Sequence, residues 1–61
     1  MEQDAAIRRA RNAALINAEL APAADAVRLD DQTWEVRFRD MAGWVIAKVQ
    51  VRENGACRFA A

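Results

Sequence analysis

A small α+β domain, with an N-terminal helix on one face of a four-stranded antiparallel meander in order 1-2-3-4, is the fold class this sequence predicts. Three observations predict it. Apolar residues alternate with polar ones on both sides of Asp40-Met41-Ala42-Gly43. Before it, Trp34, Val36 and Phe38 alternate with Glu35, Arg37 and Arg39; after it, Val45, Ala47, Val49 and Val51 alternate with Ile46, Lys48, Gln50 and Arg52. Period-two patterning of this length marks strands with one buried and one wet face. Residues 3 to about 20 are rich in Ala, Arg, Leu and Glu and contain no Gly or Pro, as a helix requires. Finally, Asp30-Asp31-Gln32 and Asn54-Gly55 supply turn chemistry on either side of the alternating stretch.

In the helix, Asp4 is placed as N-cap or first-turn residue, facing the positive end of the dipole. At 100° per residue, Ala6, Ile7, Ala10, Ala13, Ala14, Ala18 and Leu20 gather on one arc, with Arg8, Arg11, Asn12 and Glu19 opposite. An alanine arc lets the helix axis approach a sheet closely, so the large side chains of that interface come from the sheet. Pro22 biases Ala21 away from helical angles and is expected to end the helix there.

Ala26 to Leu29 reads as the first strand, with Val27 and Leu29 inward and Arg28 outward. Facing inward residues with inward residues pairs Leu29 with Trp34 and Val27 with Val36, since a slip of one would expose the apolar set. Across the next turn the same rule pairs Phe38 with Val45, Val36 with Ala47 and Trp34 with Val49. This leaves residues 40 to 43 as a four-residue loop in which Gly43 takes a positive φ. At the last turn, a two-residue Asn54-Gly55 loop would set Val51 against Arg58. A three-residue loop with Gly55 as left-handed bulge residue instead pairs Val51 with Cys57 and Val49 with Phe59, and is preferred. Trp34, Val36, Phe38, Val49 and Phe59 are thus expected under Ile7, Ala10 and Ala14.

The 61 residues suffice for one domain, residues 1–61. A chain of this size buries only about 60% of its unfolded surface. With Cys57 as the one cysteine and no His, neither an intrachain disulfide nor a zinc site of four Cys/His ligands is available, and no cofactor is implied. Nine Lys and Arg balance nine Asp and Glu, so net charge gives no bias towards nucleic acid or membrane. Apolar runs fall far short of the roughly 20 residues that cross a bilayer. The region after Met1 has no basic start and greasy centre, so a cytoplasmic location is expected, and a free thiol agrees with it.

The run Trp34-Glu35-Val36, then Asp40 and Gly43, then Val49, Val51 and Asn54-Gly55, resembles the PepSY type of small α+β module over roughly residues 26 to 59. That resemblance implies a module that binds or restrains other proteins and has no catalytic residues to carry over.

The inventory for catalysis is nearly empty: no Ser, His or Tyr, one Thr and one Cys. Acyl-transfer triads and Cys/His pairs are therefore excluded within one chain. Cys57 falls on the core face, where a thiol is inert packing. Asp30-Asp31 is the one adjacent carboxylate pair, and neighbouring turn residues point into water without the shifted pKa that acid–base work needs. A non-enzymatic role is expected.

One constellation stands out. The outer sheet face is expected to carry Arg37, Arg39, Trp44, Ile46, Arg52 and Arg58, with Glu35 between Arg28 and Lys48. The four arginines have no evident acidic partner on that face. Arg39 is expected across from Trp44, and Arg37 across from Ile46. Arg and Trp are the types enriched at interface hot spots, so the first expectation is a protein-binding module, a small inhibitor or regulator, including the phage-encoded accessory kind, acting through this face or an edge strand. The alternative is nucleic-acid binding by the arginine face. A typical RNA-binding sheet offers two or three stacking aromatics, whereas this face offers one. A homodimer is also expected, through the fourth strand, where Cys57, Phe59 and Ala60 carry no charge, or through Trp44 and Ile46 across a two-fold axis.

Overall fold

The computed structural model describes residues 1–59. It contains α1 (Gln3–Ala14), β1 (Ala23–Asp30), β2 (Thr33–Arg39), β3 (Val45–Arg52) and β4 (Cys57–Phe59). The strands form one antiparallel sheet in order β1-β2-β3-β4, with α1 on one face, which is the expected α+β fold. No helix among the described residues is long and apolar enough to cross a membrane.

Phe38, Val36, Val49 and Val51 fill the core beneath α1, whose Ala6 and Ala10 are wholly buried. Ala26 on β1 and Ala21 before it complete the packed set. Small residues on both sides of the interface bring helix and sheet close, and the branched and aromatic side chains of β2 and β3 fill what remains.

The helix ends earlier than expected, at Ala14 rather than near Leu20. Leu15 takes a left-handed conformation (φ 55°), its N–H bonding the Asn12 carbonyl at 3.4 Å while the Ile16 N–H reaches the Arg11 carbonyl at 3.1 Å. Asn17 then builds its own turn. Its Oδ1 accepts from the Glu19 N–H and its carbonyl from the N–H groups of Leu20 and Ala21. A short amide side chain competing for the backbone stops the helix before Pro22 can. Asp4 lies in the first turn, and Glu2 holds the N-cap position without a side-chain bond.

The first strand is longer than expected, beginning at Ala23, and its register with β2 differs by one. Ala26 faces Val36 and Arg28 faces Trp34, so Val27 and Leu29 are exposed and Arg28 is on the helix side. The alanines Ala24 and Ala26 accommodate the close helix, and Arg28 lays its guanidinium over the Trp34 ring, 4.7 Å from the centroid. The β2–β3 register is also corrected, by two residues: Phe38 faces Ala47, Val36 faces Val49 and Trp34 faces Val51. A shift of two keeps every side chain on its face. The loop covers Asp40–Trp44, five residues instead of four, and the register slips between Phe38 and Arg39, where Val45 and Ile46 together oppose Arg39. This is the geometry of a bulge.

The last hairpin has the expected register, with Val51 facing Cys57 and Val49 facing Phe59, and both Gly43 (φ 89°) and Gly55 (φ 91°) are left-handed. Phe59 is 67% exposed, against the expectation of a core residue, because α1 meets β4 at Cys57, whose Sγ lies 4.0 Å from the Arg9 carbonyl, and does not cover the far end of the strand. Trp34 is half-buried. Ala60, expected in the same strand, lies outside the described residues.

Candidate functional site

The sheet face opposite α1 is set by alternation from the buried residues. With Val36 and Phe38 inward, Glu35, Arg37 and Arg39 point outward, and with Ala47, Val49 and Val51 inward, Ile46, Lys48, Gln50 and Arg52 do the same. Arg58, across from Gln50, and Asp25 and Val27 on β1 join them.

Two of the arginines expected to be unpaired are paired. Arg37 donates to Glu35 Oε2 at 3.0 Å, and Arg39 donates through Nε to Asp25 Oδ1 at 3.0 Å and through Nη1 to the Gly43 carbonyl at 3.0 Å. Asp25 became a partner because β1 starts three residues before the expected strand. The neighbours differ too: Arg37 lies across from Lys48 rather than Ile46, Arg39 across from Val45 rather than Trp44, and Glu35 between Val27 and Gln50 rather than between Arg28 and Lys48. Lys48, Arg52 and Arg58 have no ion pair among the described residues. The unpaired charge thus collects on the β3–β4 half of the face. Arg52 also acts at a distance on Asp30, whose carboxyl is held below its ordinary range first by the Gln32 backbone N–H and more weakly by Thr33 and Arg52.

Trp44 and Ile46 are exposed, as expected, but they belong to a larger apolar corner. Met41 (87% exposed), Trp44 (73%), Val45 (37%) and Ile46 (49%) crowd the end of the sheet where β2 turns into β3. The loop carrying Met41 and Trp44, which leads straight into Val45 and Ile46 of β3, is tightly bonded. Asp40 Oδ1 accepts from the N–H groups of Ala42 at 3.0 Å and Trp44 at 2.9 Å, the Asp40 N–H bonds the Trp44 carbonyl, and the Gly43 N–H bonds the Asp40 carbonyl. The Arg39 guanidinium closes the loop on its outer side through the Gly43 carbonyl. A large aromatic on a loop so held is presented with little conformational freedom left to lose.

Met41 and Val45 were legible in principle. An apolar residue in a turn that otherwise demands polar chemistry, followed by Trp-Val-Ile without a polar break, departs from strict alternation, and that departure is the signal. Among the described residues no group of three or more His, Cys, Asp or Glu is placed to hold a metal ion. The Cys57 thiol is half-buried, with Sγ 3.7 Å from the Gly55 carbonyl.

No family model, no curated protein and no solved structure matches this chain.

Proposed function

We propose that this chain is a non-enzymatic protein-binding module, a small inhibitor or regulator of cytoplasmic location, which engages its partner through the apolar corner of Met41, Trp44, Val45 and Ile46. The observation that carries the reading is that Met41 and Trp44, on a loop fixed by its own hydrogen bonds, are exposed beside Val45 and Ile46 at the start of β3. Soluble surfaces seldom gather apolar groups without a contact to make. Arg39, pinned by Asp25 beside the corner, supplies a polar rim, and Arg37 extends it. The PepSY-like strand and turn pattern points towards the same class of role. A second copy of the chain is one partner this corner suits, since two such corners meeting across a two-fold axis would cover each other.

The test is to immobilise the wild-type chain and the Trp44→Glu variant, identify what each retains from the native cell, and run both in sedimentation equilibrium. Trp44→Glu should fold normally, because the residue is exposed, and should lose the partner or the dimer. Equal retention and equal mass for both proteins would sink the reading.

A second reading rests on Lys48, Arg52 and Arg58, which have no ion pair among the described residues on the β3–β4 half of the face and suit a phosphate backbone. Binding to an oligonucleotide that weakens steeply with salt and is lost in Arg52→Glu with Arg58→Glu would favour it.

A further inference from the structure

The side of α1 facing β4 borders an open groove of about 780 Å³. Ala5, Arg8, Arg9, Asn12 and Ala13, one stripe of the helix at spacings of three and four, form one wall. Gly55 and Cys57 of the last hairpin form the other. Arg9 is seated over Gly55, where a Cβ would come within 3.0 Å of its guanidinium. Among the described residues neither Arg8 nor Arg9 has an acidic partner, and Glu53, two positions before Gly55, is taken by the Met1 α-amino group and Arg28. The groove therefore has a small, weakly polar floor and a cationic wall.

Cys57, which lines the groove, also begins the edge strand of the sheet. The Arg52 N–H bonds the Ala56 carbonyl at 2.9 Å, and the alternation of an antiparallel ladder from that bond makes Gln50 and Arg58 the next bonded pair. The N–H and C=O groups of Cys57 and Phe59 consequently face away from β3, with no strand beyond them among the described residues. The side chains of the same two residues point to the helix side, where Cys57 lines the groove.

We infer that this edge and groove together form a second binding site, distinct from the apolar corner, which takes an extended acidic segment of a partner protein as a fifth strand. Main-chain pairing to Cys57 and Phe59 would fix the segment. Alternate side chains would then enter the groove, where Arg8 and Arg9 select carboxylates. A nucleic acid fits less well, because the outward N–H and C=O groups of Cys57 and Phe59 pair with a peptide main chain, which a nucleic acid lacks.

The experiment titrates the full chain with labelled eight-residue peptides alternating Glu and Thr, the same peptides with Lys for Glu, Glu–Thr peptides N-methylated at alternate positions, and a single-stranded oligonucleotide. The Glu–Thr peptide should bind and slow amide hydrogen exchange at Cys57 and Phe59, and N-methylation should abolish binding. Arg8→Glu, an exposed change whose fold is checked by circular dichroism, should weaken that peptide by about tenfold or more and improve binding of the Lys peptide. Asn12→Asp serves as a second, milder charge variant if Arg8→Glu does not fold. Trp44→Glu should leave peptide binding unchanged, which separates this site from the corner. Absence of binding at millimolar peptide, equal binding of Lys and Glu peptides, unprotected Cys57 and Phe59 amides, or an oligonucleotide bound in preference would each overturn the inference.

Discussion

The guanidinium of Arg28 lies over the indole of Trp34, 4.7 Å from the ring centroid, on the helix side of the sheet. Its tip continues to the Glu53 carboxylate. This stack anchors the β1–β2 register, since Arg28 faces Trp34 directly across the ladder. The indole N–H beneath it is buried and meets no acceptor among the described residues.

A double-mutant cycle built from Arg28→Ala and Trp34→Leu should therefore give a coupling of about 0.5–1 kcal/mol in urea unfolding, as expected for a cation over a ring at a partly exposed site. Trp34→Phe alone should cost less than about 1.5 kcal/mol, because removing an unsatisfied buried donor offsets part of the lost area. A coupling indistinguishable from zero would show that the stack does not hold the register.

Leu15 offers a stabilising change. It is exposed to 89% and sits at φ 55°, so its side chain contributes little packing while its Cβ opposes the left-handed backbone. Leu15→Gly should raise stability by about 1 kcal/mol, read as an increase in melting temperature. Leu15→Val, with a branched Cβ at the same angle, should lower it.

Gly55 combines two constraints, a φ of 91° and the Arg9 guanidinium above it. Gly55→Val should destabilise the fold by more than about 1 kcal/mol. Asn54→Asp should be mild, since a carboxylate oxygen can accept from the Ala56 N–H as the Asn54 Oδ1 does. Equal tolerance of the two variants in thermal melts would contradict a left-handed Gly55.

Acid should loosen the same end of the molecule. The Glu53 carboxyl is held below its ordinary value near 4.5, first by the hydrogen bond from the Met1 α-amino group and then by Arg28. A group whose folded pKa is depressed contributes stability above its unfolded pKa and loses it as the pH falls through the folded value. Stability of the wild type should decline below about pH 4.5, and Glu53→Gln should flatten that part of the profile while matching the wild type more closely at low pH. Parallel profiles for the two proteins would exclude Glu53 as the group responsible.

The strand alternation from Thr33 to Arg52 was sufficient to read β2 and β3 and their buried faces, and Asn54-Gly55 was sufficient to read the register of the last hairpin. Apolar matching failed at β1 because it assigns Val27 and Leu29 inward on hydrophobicity alone. The helix comes too close for them, so Ala24 and Ala26 take the inner positions, and an arginine is tolerated there because Trp34 offers it a ring face. It failed by two at β3 because both registers satisfy the alternation, and the choice was made by the Asp40 carboxylate, which bonds two backbone N–H groups and lengthens the loop. At the candidate site, exposure of Trp44 and Ile46 followed from parity alone. The pairing of Arg37 and Arg39 did not, since one partner lies two residues along the same strand and the other comes from a strand whose start was misplaced.

Every strand of the sheet pairs with its neighbour in sequence. Most of the ladder can therefore form through short loop closures, hairpin by hairpin, while the link from the Met1 amine to Glu53 spans 52 positions and requires that hairpin to be in place already. Docking of the amino end is thus expected to be a closing event: substitutions at Glu53 or Arg28 should act mainly on the rate at which the folded chain opens, and substitutions in the β2–β3 hairpin on the rate at which it forms.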